Sequence, residues 1–175
     1  MHPGFWFVLG ALLMQRVAEL VTNKRNIERM KADGGHVVRD DGFGLLVVTQ
    51  SAFFVLASAE ALLSPLAGVG WWTIPGLAVF VVGELLRGWS IAHLAGRYTV
   101  RIVVLPQAPL VMGGPYRLLR HPIYVGVTLV LAGVPLAFGL WGTAAVVALL
   151  NAVALMRRIR REDAALAPLR RASDA

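Results

Sequence analysis

Five apolar stretches, separated by short turns or by longer basic segments, govern what this chain can fold into. They cover residues 4–22, 43–63, 71–89, 122–136 and 140–156. About 20 apolar residues in a helix cross a bilayer, so the first three are of spanning length and the last two are short. The whole chain is 57% hydrophobic and only 15% charged, against about 25% charged in a soluble domain. A globule of this size in water could not hide that much apolar surface. The expected fold is an all-α integral membrane protein, a single domain over residues 1–175 with five transmembrane helices. Residues 137–139 are too few for anything but a tight turn, which makes the last two spans a short helical hairpin. Pro135, with no N–H to give, is expected to end its first arm. No basic residue precedes the first stretch and no small-residue cleavage site follows it, so it reads as a retained helix.

The charges are distributed by side. Lys24, Arg25, Arg29, Lys31 and Arg39 fall between the first and second stretches, and Arg97, Arg101, Arg117 and Arg120 between the third and fourth. Arg157, Arg158, Arg160, Arg161, Arg170 and Arg171 follow the fifth, while the two intervening turns carry none. Basic residues concentrate on the cytoplasmic side. The expectation is an N-terminus outside and a C-terminus in the cytoplasm, in a plasma (inner) membrane. The net charge of +7 is then a matter of orientation, not of nucleic-acid binding.

Composition removes several chemistries. With no cysteine there is no disulfide, thiolate nucleophile or thiolate-held zinc, and four scattered histidines without metal-ligand spacing give no metal site. Neither a GxGxxG after a strand nor a GxxxxGK[ST] loop is present. Residues 25–41 read as a partly helical polar segment. Residues 93–121 read as a cytoplasmic flap, with an extended run at 99–105 and a Pro-rich turn suggesting a small hairpin. Arg16 with Glu19, and Glu84 with Arg87, are spaced to form local ion pairs within their helices, the second pair with an alternative role in shaping a polar cavity. Glu60 is expected simply to reach the interface.

One segment carries chemical information: Met112 to Gly126, MGGPYRLLRHPIYVG. Gly113 and Gly114 permit close backbone approach. Pro122 suits the first turn of a helix, whose free N–H groups, with Arg117 and Arg120, favour a carboxylate or phosphate. Tyr116 and Tyr124 supply aromatic faces for a cation or an adenine ring. In the tail RIRREDAAL, on a C-terminal amphipathic helix over 157–167, Arg158 and Glu162 are one turn apart and can meet.

GPYRLLRHPIYVG followed by RIRREDAAL resembles the isoprenylcysteine carboxyl methyltransferase family, integral membrane enzymes that use S-adenosylmethionine. LLRGWSIAHLAGRYTVRIVVLP and MQRVAELVTNKRN extend the resemblance, the latter toward a bacterial branch linked with type III polyketide synthases, whose members O-methylate alkylresorcinols or alkylpyrones. The resemblance implies that Gly114, Pro115, Tyr116, Arg120, His121, Pro122, Tyr124 and Glu162 form the S-adenosylmethionine site. It makes Arg158, Glu162 and His121 the candidate catalytic residues. The family's second glutamate is Asp163 here, and the aromatic stretch that follows in eukaryotic members is missing. The implied activity is methyl transfer to an oxygen (carboxylate, phenol or enol) of a lipophilic acceptor. A carboxylate needs a cation such as Arg158 to orient it, whereas a phenol needs a base, Glu162 or His121. Glu162→Gln and Arg158→Ala are expected to lose turnover and keep the fold. The alternatives are an NADPH-dependent sterol-type reductase, which shares a similar signature, and a small transporter or scaffold in which Glu19, Glu60 and Glu84 line a path.

Overall fold

A computed structural model describes residues 2–39 and 42–173, of which 171–173 are described by their backbone only. The ends of the expected domain, and the Asp40–Asp41 end of the first polar segment, lie outside the described residues. The chain runs α1 (Pro3–Ala32), β1 (His36–Val37), α2 (Phe43–Leu63), α3 (Thr73–His93), β2 (Val103–Val104), a 3-10 turn (Gly114–Arg117), α4 (Pro122–Ala137) and α5 (Trp141–Ser173). Four helices, α1, α2, α3 and α5, are long and apolar enough to cross a membrane, and α4 is a shorter apolar helix.

The apolar runs locate the helices well, but two of them outlast their apolar parts. α1 continues through the basic residues to Ala32 instead of stopping near Thr22. α5 joins the expected fifth span and the expected tail helix into one helix of 33 residues. Lys, Arg and Glu are good helix formers, so loss of hydrophobicity alone does not end a helix. Pro135 does not end α4 either. The helix continues to Ala137, and Gly139, at φ +67°, makes the exit turn. There Leu140 N–H donates to Pro135 O at 2.8 Å.

Along the seam between α3 and α4, the glycines come in pairs seven residues apart: Gly76 and Gly83 against Gly126 and Gly133. Two helical turns separate each pair, so each pair lies on one face. A Cβ on Gly76 would sit 2.3 Å from Ala137 N, and one on Gly133 would sit 2.5 Å from Phe80 N. The two backbones therefore touch. Helices in lipid gain little from hydrophobicity against each other, and small residues that let backbones approach are what hold them. Phe5 and Leu9 of α1, Phe53 of α2, Val130 and Val134 of α4 and Val147 of α5 complete one apolar core.

Glu60 does more than reach an interface. Its two carboxylate oxygens accept from Gly142 N–H at 2.9 Å and Thr143 N–H at 2.6 Å. It thus caps the N-terminus of α5, where unpaired N–H groups and the helix dipole favour an anion.

At the opposite end of the bundle the extended run pairs differently from expectation. Val103–Val104 pairs antiparallel with His36–Val37, from the loop after α1, and forms no hairpin of its own. Val38 N–H adds a bond to Ile102 O at 2.9 Å. Pro106 and Pro109 have no N–H to offer a returning strand, so the distant loop supplies the pairing.

Candidate active site

The motif wraps the start of α4. Pro122 is fully buried at its first turn. His121 precedes it with a side chain that does not cap the helix, and so the imidazole is available for other contacts. Its Nε2 lies 3.1 Å from Asp163 Oδ1, its Nδ1 lies 3.9 Å from Glu162 Oε1, and its ring stacks on Tyr124 with centroids 5.5 Å apart. The Tyr124 hydroxyl donates to Glu162 Oε2 and accepts from Arg158 Nε at 3.1 Å. Arg158, 3% exposed, also donates through Nη2 to Val100 O at 2.5 Å. Arg158 and Glu162 are therefore joined through a phenol contributed by α4. Asp163 is held in turn by Arg170 at 2.9 Å, with Arg120 at 3.8 Å.

A cavity of about 800 Å³ opens onto this cluster. Tyr116, Arg120, His121, Pro122, Tyr124, Arg158 and Glu162 all line it, though they come from three separate segments. One flank is formed by Leu13, Val17 and Leu20 of α1 with Leu46, Val47 and Phe54 of α2, and another by the segment between α3 and the 3-10 turn, including Val100, Ile102 and Leu110. The space is polar at one end and apolar along its flank. Gly114 and Pro115 are not part of the lining. Gly114 has φ +57°, and a Cβ there would meet the His93 ring at 2.3 Å, so its bare α-carbon accommodates a histidine. Pro115 is buried beneath the turn.

Tyr98 and Tyr116 also line the cavity. Burial pushes both phenols above their ordinary range, the Glu19 charge adding to this at Tyr98 and the Glu162 charge at Tyr116. Both are therefore protonated hydroxyls at neutral pH and do not act as bases. The Tyr116 hydroxyl faces Ser90 O at 3.5 Å.

The charges within the helices form one network in place of two local pairs. Arg16 Nη1 meets Glu19 Oε2 at 2.9 Å, and Arg87 lies 3.7 Å from Glu84, both as their spacing predicts. Glu19 also pairs with Arg87 across helices, and Gln15 donates to Glu84 at 2.8 Å. Arg87 is 2% exposed. Glu60, at the far end of α2, belongs to the α5 cap and not to this network, so the three glutamates line no common path.

Sequence reasoning missed the residues that fasten the flap. Asn26 Nδ2 donates to Tyr98 O at 2.8 Å, and Asn23 Oδ1 accepts from Val100 N–H at 2.7 Å. The signal was the spacing of Asn23 and Asn26, three apart and so on one face of a helix that was expected to have ended.

The family model for the isoprenylcysteine carboxyl methyltransferase (ICMT) family matches residues 76–168, from α3 through the tail of α5. A relative in Bacillus subtilis (strain 168), the uncharacterised protein YpbQ, is 31% identical over 163 residues, covering 93% of this chain and 96% of the relative. No solved structure matches this chain. With four helices of bilayer length and a family match that takes in the whole site cluster, the chain belongs to the isoprenylcysteine carboxyl methyltransferase family and is a multi-pass membrane protein of methyltransferase type.

Proposed function

We propose that this protein is an S-adenosylmethionine-dependent O-methyltransferase acting on a carboxylate, phenol or enol of a lipophilic acceptor. It works at the cytoplasmic face of the plasma membrane, with α4 as a fifth span, the N-terminus outside and the C-terminus inside. The observation that carries this reading is the shared cavity: one continuous space bordered by apolar side chains of α1 and α2 and by the Arg158–Tyr124–Glu162–His121 cluster. A soluble cofactor and a lipid-borne acceptor need such a boundary position.

The lining fits S-adenosylmethionine chemically. Its cationic groups suit Glu162, its carboxylate suits Arg120, and its adenine suits the face of Tyr116. When bound, the cofactor supplies an electrophilic methyl group. The protein's own contribution is alignment and proton control. Arg158 sets the Tyr124 hydroxyl by donating to it, and Tyr124 in turn fixes one oxygen of Glu162. The other oxygen, Oε1, and His121 remain to receive a proton from a phenol or enol, while a carboxylate arrives ionised and needs only the guanidinium. Apolar walls on the α1–α2 flank keep water from competing with the acceptor.

Calorimetry on the detergent-purified protein tests this, with NADPH titrated in parallel. Saturable S-adenosylmethionine binding, weakened by Glu162→Gln, is expected. Binding of NADPH alone would transfer the protein to the reductase reading, and binding of neither by folded protein would refute the enzyme reading.

A further inference from the structure

The two ring nitrogens of His121 have different surroundings. Nε2 lies 3.1 Å from Asp163 Oδ1. Nδ1 makes no hydrogen bond among the described residues, since Glu162 Oε1 at 3.9 Å is beyond hydrogen-bonding range. Nor is Nδ1 one of the side-chain atoms closed to solvent. The two neighbouring acids differ in the same way. His121 and Glu162 line the cavity and Asp163 does not, so Asp163 holds the imidazole from outside the lining. Tyr124, stacked on one ring face, fixes the plane of the ring.

Asp163 is fixed in turn. Arg170 meets the same Oδ1 at 2.9 Å, and Arg120 lies 3.8 Å from Oδ2. A carboxylate paired with a guanidinium is an anion at neutral pH, and an anion only accepts. The proton of the Asp163–His121 contact therefore sits on Nε2, and a neutral ring keeps its lone pair on Nδ1. The charges facing the ring are Glu162, Asp163 and Arg170 of α5, Arg120 beside it in the chain, and Arg158 behind the Tyr124 hydroxyl. With guanidiniums balancing the carboxylates, the imidazole is not forced into its charged form. Arg170 comes from beyond the family-matched segment, which ends at Pro168.

We propose that Asp163, pinned by Arg170, is the positioning residue of a proton-transfer pair in which His121 Nδ1 takes the proton of the methyl acceptor. This rests on the proposed function and narrows its acceptor to a phenol or enol, because a carboxylate brings no proton to remove. The acceptor's O–H bond breaks and its proton goes to Nδ1. The oxygen's electron pair makes the new bond to the methyl carbon, while the pair of the broken C–S bond returns to the cofactor sulfur. The new imidazolium is stabilised by Asp163 through Nε2–H until its proton leaves to water. An imidazole is a stronger base than a carboxylate, so the task falls to His121 and not to Glu162.

Two measurements on the purified full-length protein test this. Nitrogen-15 NMR of ring-labelled histidine, without cofactor, reads which nitrogen of His121 carries the proton, with His121→Gln identifying its signals. The neutral ring is expected to be protonated at Nε2. Asp163→Asn, whose amide can donate, is expected to move part of that proton to Nδ1. The second measurement is methyl transfer from S-adenosylmethionine to 3-pentadecylphenol, to its ring-nitrated analogue and to hexadecanoate, at about pH 8. The nitro group makes the phenol acidic enough to arrive ionised and to need no base. Asp163→Asn is expected to lose about 100-fold in kcat on the plain phenol and only a few-fold on the nitrated one. Arg170→Gln should fall between wild type and Asp163→Asn on the plain phenol. A purely structural defect would slow both phenols alike. A neutral His121 protonated at Nδ1 in the wild type, or an imidazole still charged at about pH 8, overturns the proposal. So does an equal loss on both phenols, or methylation of hexadecanoate in preference to them. Absence of S-adenosylmethionine binding in calorimetry on the same samples would instead overturn the methyltransferase reading, and the NMR would still decide the Asp163–His121 arrangement.

Discussion

Arg158 Nε lies 3.1 Å from the hydroxyl oxygen of Tyr124, and that hydroxyl spends its proton on Glu162. Two residues four apart on α5 are thus coupled by a side chain from α4. Tyr124→Phe cuts the coupling and keeps the ring that stacks on His121. Turnover with a lipophilic phenol or carboxylate is expected to fall about 100-fold. Binding of S-adenosylmethionine should change only a few-fold. Single-turnover rates and calorimetry separate the two, and an unchanged rate would remove Tyr124 from the chemistry.

Arg158→Ala is expected to cost stability as well as activity, which revises the expectation that this variant folds like the wild type. The guanidinium is buried, and its removal strips Val100 O and the Tyr124 hydroxyl of a donor. Removing one member of such a buried charged network costs about 3 kcal/mol. Glu162→Gln keeps its shape and its place and should unfold near the wild-type temperature. Thermal unfolding in detergent distinguishes the pair, and coincident midpoints would show that Arg158 carries no structural load.

Gly133→Ala places a methyl group where a Cβ meets Phe80 N at 2.5 Å, and backbone cannot swing aside as a side chain can. A loss of about 1–3 kcal/mol is expected. Gly88→Ala, on the same helix pair but with nothing within 4 Å of its Cβ, should be neutral or stabilising by up to about 1 kcal/mol. Equal midpoints for the two variants would contradict the backbone contact between α3 and α4.

Tyr98 and Tyr116 supply a pH signature. Burial raises both phenols above their ordinary range in the folded protein. The unfolded chain therefore loses these protons first, near pH 10, and stability is full below that value and declines as pH rises past it. Unfolding midpoints measured between pH 8 and 11 should fall toward the alkaline end, less steeply in Tyr98→Phe. A midpoint that holds constant through pH 11 would mean that neither phenol is shielded.

Hydrophobicity made most of this architecture legible. The limits of α2, Phe43–Leu63, coincide with the second apolar run, because both of its ends are marked by Gly or polar residues. The segment at 112–126 pointed to Tyr116, Arg120, His121 and Tyr124, the tail RIRREDAAL pointed to Arg158 and Glu162, and all six line one cavity. What stayed hidden depends on distance along the chain. Periodicity says that Glu19 and Arg87 are on helices, not that the helices place them together. A two-residue ladder between His36–Val37 and Val103–Val104 is too short to leave a pattern, and its strands come from different loops. The extension of α1 to Ala32 read as a separate, partly helical polar segment because its charges ended the apolar run, while their helix propensity continued the first helix without a break.

The seam of Gly76, Gly83, Gly126 and Gly133 has a mechanical consequence. With main chain resting on main chain, no soft side-chain layer lies between α3 and α4 to be compressed or slid. The two helices behave as a single stiff plank that carries the start of α4, and with it His121 and Tyr124, at a fixed height. Any breathing that admits a long-chain guest must then fall to the other wall, where α1 and α2 meet the cavity through flexible aliphatic side chains. The chemistry stands on the rigid side and admission on the compliant one.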